Sequence, residues 1–326
     1  MYEPLSAGDP ETTAALQRGS PAHGEMLAAG RAMRDAMAAD LAAVPGIDVT
    51  LAVDEQEAGH AMPRAHIRTS APLPGEGAVA FVRRQAPLHD LCWVVAPESG
   101  GLLLRLHDAV GEARWIGCSA PAIRVAASKR ATCAALAAAG ILTPDAFAAG
   151  HAGAWIVKPD DGAGSVDTRR HETRPAAEAD LRRRRRAGQG VLMQPYVRGD
   201  PLSVSLIVGP VLARIVAFNR QQLHIDAAGW LHDRGVQAAA LPPDDPRTGA
   251  LRALALKVAS ALPGLRGYVG IDVVWNEGDG PVVIEVNPRV TCAYVGLSAI
   301  VERNLAVDIL AAHPRSQLQE AGHVAA

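Results

Sequence analysis

Two apolar runs near the carboxyl end constrain this chain more than any other feature. Gly270-Ile271-Asp272-Val273-Val274 is answered, across Asn276-Glu277-Gly278-Asp279-Gly280, by Val283-Ile284-Glu285-Val286-Asn287-Pro288-Arg289. The turn-forming loop between β-branched flanks predicts a hairpin whose two strands are antiparallel neighbours. Side chains alternate between faces along a strand, so Glu285 and Asn287 share one face, and Asp272 stands among apolar residues on the paired strand. Strands of the buried type avoid unpaired carboxylates, so three oxygen donors here are expected to grip one ion. Two carboxylates and an amide oxygen, without His or Cys, select hard Mg²⁺ or Mn²⁺, bound through few protein ligands plus substrate phosphates. The bland alternative is a solvent-facing polar edge. Arg289, two residues past Asn287, is expected on the same side, offering its fork to a carboxylate or phosphate oxygen; its own bland alternative is a structural ion pair.

Lysine use supplies the second constraint. The basic residues are almost all Arg, and the only lysines are Lys129, Lys158 and Lys257. A chain that writes Arg wherever it can keeps Lys where a compact, rotatable point charge is needed, as on a nucleotide phosphate. Lys158 ends the strand-like Trp155-Ile156-Val157, ahead of the glycine-rich Asp161-Gly162-Ala163-Gly164-Ser165, whose backbone N–H groups can close over phosphates. The order matches neither a P-loop nor a dinucleotide fingerprint, and a glycine-rich turn alone is weak. Val191-Leu192-Met193-Gln194-Pro195-Tyr196-Val197 reads as an apolar strand ending where backbone groups can pair with an adenine edge, with Asp200 in reach of ribose hydroxyls; an ordinary strand and turn is the alternative.

The rest of the chain frames these motifs. At 326 residues it is long enough for two or three compact units. Helical spacing over residues 24 to 44, a strand over 47 to 53, a second apolar run at 91 to 96, a helix from Leu102 to Ala109 and a short strand at Trp115 predict a parallel α/β first domain. Residues 1 to 23 are polar and rich in Gly, Pro and Thr, so the opening strand of such a domain is expected to be missing. From Ala154 onward, short β-rich runs (154 to 158, 191 to 197, 203 to 217, 267 to 275, 281 to 286) and helices near 175 to 186 and 247 to 262 predict an α+β second half. With 49% hydrophobic residues, 20% charged and a formal charge of -2, nothing pulls the chain toward nucleic acid or anionic lipid. No apolar run is long enough for a bilayer, and a cytoplasmic location is expected. Cys92, Cys118, Cys133 and Cys292 read as small hydrophobes, Arg182 to Arg186 as a solvated face, and His224, Asp226, His232 and Asp233 as a polar loop.

Ser128-Lys129, Lys158-Pro159 with its glycine loop, Gln194-Pro195-Tyr196-Val197, and Asp272 with Glu285-x-Asn287-Pro288-Arg289 resemble, in this order and spacing, the ATP-grasp superfamily over roughly residues 95 to 305. The resemblance implies an α/β plus α+β architecture: a pre-ATP-grasp domain at 1–122, a small lid subdomain at 123–190, and a large subdomain carrying the metal site at 191–326. Lys129 and Lys158 would hold ATP phosphates under the 162 to 165 loop, Gln194 to Val197 would form the adenine hinge, and Asp272, Glu285 and Asn287 would coordinate two Mg²⁺. Lys158 and Arg289 would neutralise charge during transfer. Val95-Ala96-Pro97-Glu98-Ser99-Gly100-Gly101-Leu102 and Asn287 to Leu297 are similar to tyramine–glutamate ligases of methanofuran biosynthesis. That closer likeness implies glutamate and an aromatic amine as small-molecule substrates, with Glu98, Arg289, Thr291 and Tyr294 on the substrate side. A ligase for another acid and amine, of the amino-acid or D-alanine kind, and a nucleotide-binding regulatory protein without turnover remain open, as does a homodimer.

Overall fold

The computed structural model describes residues 1–16, 18–55, 66–162 and 164–313. Helices α1 (Pro10–Ala15) and α2 (Pro21–Ala42) open the chain. Ser20 caps α2 by accepting from His23 N at 3.1 Å, and Pro21 follows in the first turn, where its missing N–H costs nothing. Met33, Met37 and Leu41 of α2 are buried against the first domain, as their spacing predicts. Strand β1 (Val49–Ala52) pairs in parallel with β2 (Ile67–Ser70). After α3 (Ala78–Gln85), β3 (Cys92–Trp93) pairs in parallel with β4 (Trp115–Ile116) around α4 (Leu102–Val110).

The strand expected to be missing is present in two residues. Ala52 N donates to Met1 O at 3.0 Å, Tyr2 N to Trp93 O at 3.1 Å, and Val95 N to Tyr2 O at 2.9 Å, so Met1 and Tyr2 join the two parallel pairs. Two residues are too short to show any periodicity, and their neighbours on both sides supply the backbone partners.

Helices α5 (Ala120–Ala127) and α6 (Lys129–Ala138) lead into a three-stranded antiparallel sheet, in which β5 (Trp155–Pro159) lies between β6 (Arg169–His171) and β7 (Val191–Pro195). Helix α7 (Arg174–Arg186) covers it over Trp155, Val157, Ala177 and Val191. This small sheet therefore closes at Pro195, past the expected boundary at 190. Strands β8 (Asp200–Val208), β9 (Ala213–Ile225), β10 (Leu231–Gln237), β11 (Gly267–Asn276) and β12 (Gly280–Asn287) form a second antiparallel sheet in the order β10-β9-β8-β11-β12. The run at 203 to 217 is two strands, not one, because Gly209 N bonds Leu212 O at 2.8 Å in a tight turn. Helix α8 (Thr248–Ala261) buries Leu251, Ala255 and Val258 in the main core, beside Ile271 and Val283. Among the described residues, no helix is long and apolar enough to cross a membrane.

Candidate active site

Asp160, just past β5, ties the two lysine-bearing elements together. Its carboxylate accepts from Ser128 Oγ at 2.8 Å and Arg130 N at 2.9 Å, and its carbonyl accepts from Lys129 N at 2.9 Å. Ser128 in turn caps α6 through Ala131 N at 3.1 Å. A carboxylate at the first turn satisfies orphan N–H groups and suits the positive end of the helix dipole. The start of α6 is thus fixed against the end of β5, with Lys129 beside Lys158. Lys129 Nζ donates to Gly162 O at 2.9 Å and lies 3.4 Å from Glu285 Oε1. Lys158 is only 7% exposed, and among the described residues its ammonium has neither a hydrogen bond nor an ion pair. Burial, then the charge of Lys129, holds its pKa below the ordinary value, with Glu285 pulling the other way.

The expected hairpin forms, and its register sets Asp272 directly opposite Glu285. Asn287 Nδ2 donates to Asp272 Oδ2 at 3.3 Å, which commits the amide nitrogen and leaves its oxygen as an acceptor. Burial and the neighbouring Glu285 push the Asp272 carboxyl up to about 7, against hydrogen bonds from Asn287 and Gln221. Two carboxylates this close repel one another, and a hard cation among them would relieve the repulsion. Among the described residues no three His, Cys, Asp or Glu side chains converge, so phosphate oxygens and water would complete such a site.

Lys129, Lys158 and Glu285 stand at the wall of a cavity of about 350 Å³ that also meets Gly162, Ser165, Gln194, Pro195, Tyr196 and Val197. Ile156, Leu223, Ile225, Leu231, Val274 and Ile284 supply apolar walls suited to a planar base. Gln194 is 3% exposed; its Nε2 donates to Asp145 Oδ1 at 3.2 Å and Cys133 Sγ at 3.3 Å, while its Oε1 has no partner among the described residues. Of the expected hinge donors, Tyr196 N is already bonded to Ala154 O at 2.8 Å. Gly164 turns with φ 67 so close to α2 that a Cβ would meet Met26 Sδ at 3.4 Å, and Ser165 follows with φ 59. Ala163 lies outside the described residues.

Four expected residues are engaged elsewhere. Asp200 does not line the cavity: Arg220 Nη1 donates to its Oδ1 at 2.9 Å and Arg247 Nη1 to its Oδ2 at 2.7 Å. Tyr294, expected on the substrate side, is 1% exposed; it donates to Asp40 Oδ2 at 2.6 Å and meets Trp93 and Tyr268 edge to face. It is a packing residue, because a large ring with one polar tip fills a core gap once that tip is bonded. Arg289 and Glu98 hold one another, Nε to Oε1 at 2.9 Å and Nη2 to Oε2 at 3.1 Å, joining the first domain to the end of β12. The structural alternative read for Arg289 is the arrangement found. Thr291 is half-buried, with Oγ1 3.5 Å from Tyr268 OH.

Sequence reading missed Asp160, Asp145, Gln221 and the apolar walls from β9 and β10. Only Leu223 and Ile225, two apart on one strand face, left a trace. His224, Asp226, His232 and Asp233 belong to the β9–β10 hairpin rather than to a loop; Asp226 accepts from Ala228 N, Trp230 N and His232 Nε2 to shape its turn.

Comparisons with known proteins bear on the family and the fold. The tyramine–L-glutamate ligase of Methanocaldococcus jannaschii is 30% identical over 210 residues, 64% of this chain and 58% of that protein. Its counterpart from Methanocaldococcus fervens is 29% identical over 64% of this chain and 61% of its own length. The chain thus matches about three fifths of the length of these curated relatives. An ATP-grasp superfamily protein from Archaeoglobus fulgidus, 20% identical, superposes with a TM-score of 0.65 over 87% of this chain and 82% of that one. The pre ATP-grasp 3 domain matches residues 47–123, and the ATP-grasp domain matches residues 126–293, more than half of the chain, which therefore belongs to the ATP-grasp family.

Proposed function

We propose that the protein is an ADP-forming ligase that joins a carboxylate to an amine through an acyl phosphate, with ATP as co-substrate and Mg²⁺ or Mn²⁺ as cofactor. The observation that carries this is Lys158, a buried ammonium with no hydrogen bond or ion pair among the described residues, beside a second lysine and within reach of the charge of Glu285. Such a cation is costly unless an anion arrives to pair with it, and a polyphosphate fits both lysines at once. Asp272, Glu285 and Asn287 are the hard oxygen donors that would hold the metal, which when bound offsets negative charge on the phosphates. Lys129 and Lys158 take the phosphate oxygens, and the apolar walls take the base. Gln194 Oε1 is left to accept from an exocyclic amine. The substrate carboxylate attacks the γ-phosphorus in line and ADP leaves. The amine then attacks the acyl carbonyl and phosphate departs, while the glycine loop excludes water.

The names of the relatives support L-glutamate and tyramine, or a related aromatic amine, as the pair to be joined. A ligase for another amino-acid pair shares all of the phosphate chemistry. The Asp272 and Glu285 pair, whose repulsion a cation would relieve, supports a site for a metal-bound nucleotide, and substrate-dependent ADP release is what separates a ligase from a regulatory protein without turnover. The test is ADP release with Mg²⁺ and ATP, comparing glutamate plus tyramine with each alone and with a panel of amino acids, the products weighed by mass spectrometry. A γ-glutamyl amide formed only with both partners, and lost in Glu285→Ala, supports the specific pair. ADP released with other partners keeps the ligase and discards tyramine. Tight ATP binding without substrate-dependent turnover overturns the ligase.

A further inference from the structure

The five-arginine run of α7 is not one surface. The side chains of Arg182 and Arg183 are 62% and 64% exposed, whereas Arg184 between turns of the same helix is only 4% exposed. Its guanidinium meets neutral oxygens alone: Nε donates to Gln189 Oε1 at 2.8 Å and Nη1 to Asp167 O at 2.8 Å. Among the described residues no carboxylate lies within ion-pairing distance of it. A buried cation held by one side-chain amide and one loop carbonyl, with no carboxylate beside it among the described residues, is unusual on a surface helix.

That carbonyl belongs to the far end of the glycine-rich loop. Asp167 has φ 54 and Ser165 φ 59, left-handed conformations that L side chains rarely adopt and that persist only where the surroundings impose them. Ser165, Val166 and Thr168, on either side of Asp167, line the cavity. From the opposite side, Thr168 O accepts from Leu231 N at 2.9 Å, which fastens the same loop end to β10.

We propose that Arg184 is a positioning residue that clamps the 164–168 loop in the conformation that covers the phosphates. What the loop covers rests on the ligase reading above; the clamp itself does not. The planar fork reaches Gln189 and Asp167 together, a geometry that a lysine ammonium cannot reproduce. With the clamp gone, the loop opens more often. ATP then binds more weakly, and water reaches the acyl phosphate, returning the free acid and inorganic phosphate in place of the amide.

The experiment compares the wild type with Arg184→Ala, Arg184→Lys and, as a control on the same helix, Arg182→Ala. Amide hydrogen exchange without nucleotide at Thr168, whose N donates to Ser165 O at 3.2 Å, and at Leu231, whose N donates to Thr168 O at 2.9 Å, reads the clamp, and about tenfold faster exchange is expected in Arg184→Ala, less in Arg184→Lys. In turnover, the KM for ATP is expected to rise about tenfold, and ADP released to exceed amide formed, with millimolar guanidinium restoring the ratio in Arg184→Ala. Arg182→Ala changes none of these. Unchanged exchange in both Arg184 variants overturns the clamp, as does faster exchange spread equally over the whole protein. If the wild type turns over no pair of substrates, the ligase reading falls while the exchange comparison still decides the clamp.

Discussion

Lys158 and Arg289 are both cations hidden from solvent near the same carboxylate hairpin, yet they are treated in opposite ways. Arg289 spends its fork on Glu98 and its remaining Nη1 on Val290 O at 3.1 Å. Lys158 has no partner among the described residues, and its nearest titratable neighbours include another lysine. A charge that the protein satisfies for itself holds domains together, whereas a charge left unsatisfied is kept at a cost to stability for something that binds. The same division separates Asp272 and Glu285, which crowd one another, from Asp40, which takes hydrogen bonds from both Tyr294 and Ser298.

The strongest way to break this contrast is Lys158→Met. Removing one preorganised charge that stabilises phosphoryl transfer is expected to cut substrate-dependent ADP release by about 10³-fold. Removing an unpaired buried ammonium in favour of a similar apolar volume is expected to raise stability, by about 1 kcal/mol. Thermal melts beside the activity assay check both signs, and a variant that loses stability along with activity would place Lys158 with the architectural charges. Glu98→Ala should do the reverse. It leaves the Arg289 guanidinium buried without its carboxylate, at about 3 kcal/mol of stability in urea melts, because breaking a buried pair by removing one partner exposes the desolvation penalty of the other. A loss under about 1 kcal/mol would mean that Arg289 finds a new partner and that the pair is not what fastens the first domain.

The contrast also explains which parts were legible in the sequence. The hairpin, the lysines and the glycine loop could be read because their chemistry is out of place in its local pattern: carboxylates inside β-branched runs, and Lys in a chain that prefers Arg. Asp200, Glu98 and Tyr294 look similar in isolation. What removes Asp200 and Tyr294 from the cavity is a partner distant in sequence, Arg247 for the first and Asp40 for the second. No local pattern records such pairings. Asp160 and Gln221 were invisible for the complementary reason, since each is an ordinary polar residue until the fold brings it to a helix start or to Asp272. The fold was more legible than the site because alternation and helical spacing repeat over many residues, whereas Met1 and Tyr2 fill a strand position with too few residues to repeat anything.

A titratable group satisfied from within should also carry a pH signature in stability rather than in activity. His313 accepts from Gly117 N at 2.8 Å through Nε2 and donates to Ile309 O at 2.8 Å through Nδ1, an arrangement open only to the neutral ring. Burial lowers its pKa from the ordinary 6.5. The folded state therefore refuses a proton that the unfolded chain accepts, so the contribution is fully present above about pH 6.5 and is lost as pH falls, by up to about 1.4 kcal/mol per pH unit until the folded pKa is reached. The raised Asp272 carboxyl acts in the opposite sense over the same range, so urea melts between about pH 7.5 and pH 5 should show the His313 contribution as a difference in slope between the wild type and His313→Gln. An unchanged slope in that variant would assign the effect to other groups.

The smallest expected effect is the sharpest test of the division. Gly199 lines the cavity and Asp200, the next residue, does not. At Gly199 the backbone runs at φ 154 so close to Trp275 O that a Cβ would fall 2.0 Å from it, which pins the chain where Asp200 turns away toward Arg220 and Arg247. In Asp200→Asn the amide keeps hydrogen-bond acceptance but loses its charge. Arg247 still has Asp245 at 2.7 Å, so a stability cost of about 1 kcal/mol is expected. The KM for ATP should move by less than about twofold, since no contact to the nucleotide is lost. A tenfold rise in that KM with stability unchanged would return Asp200 to the ribose, and would show that a side chain held by two guanidinium groups can still serve a ligand.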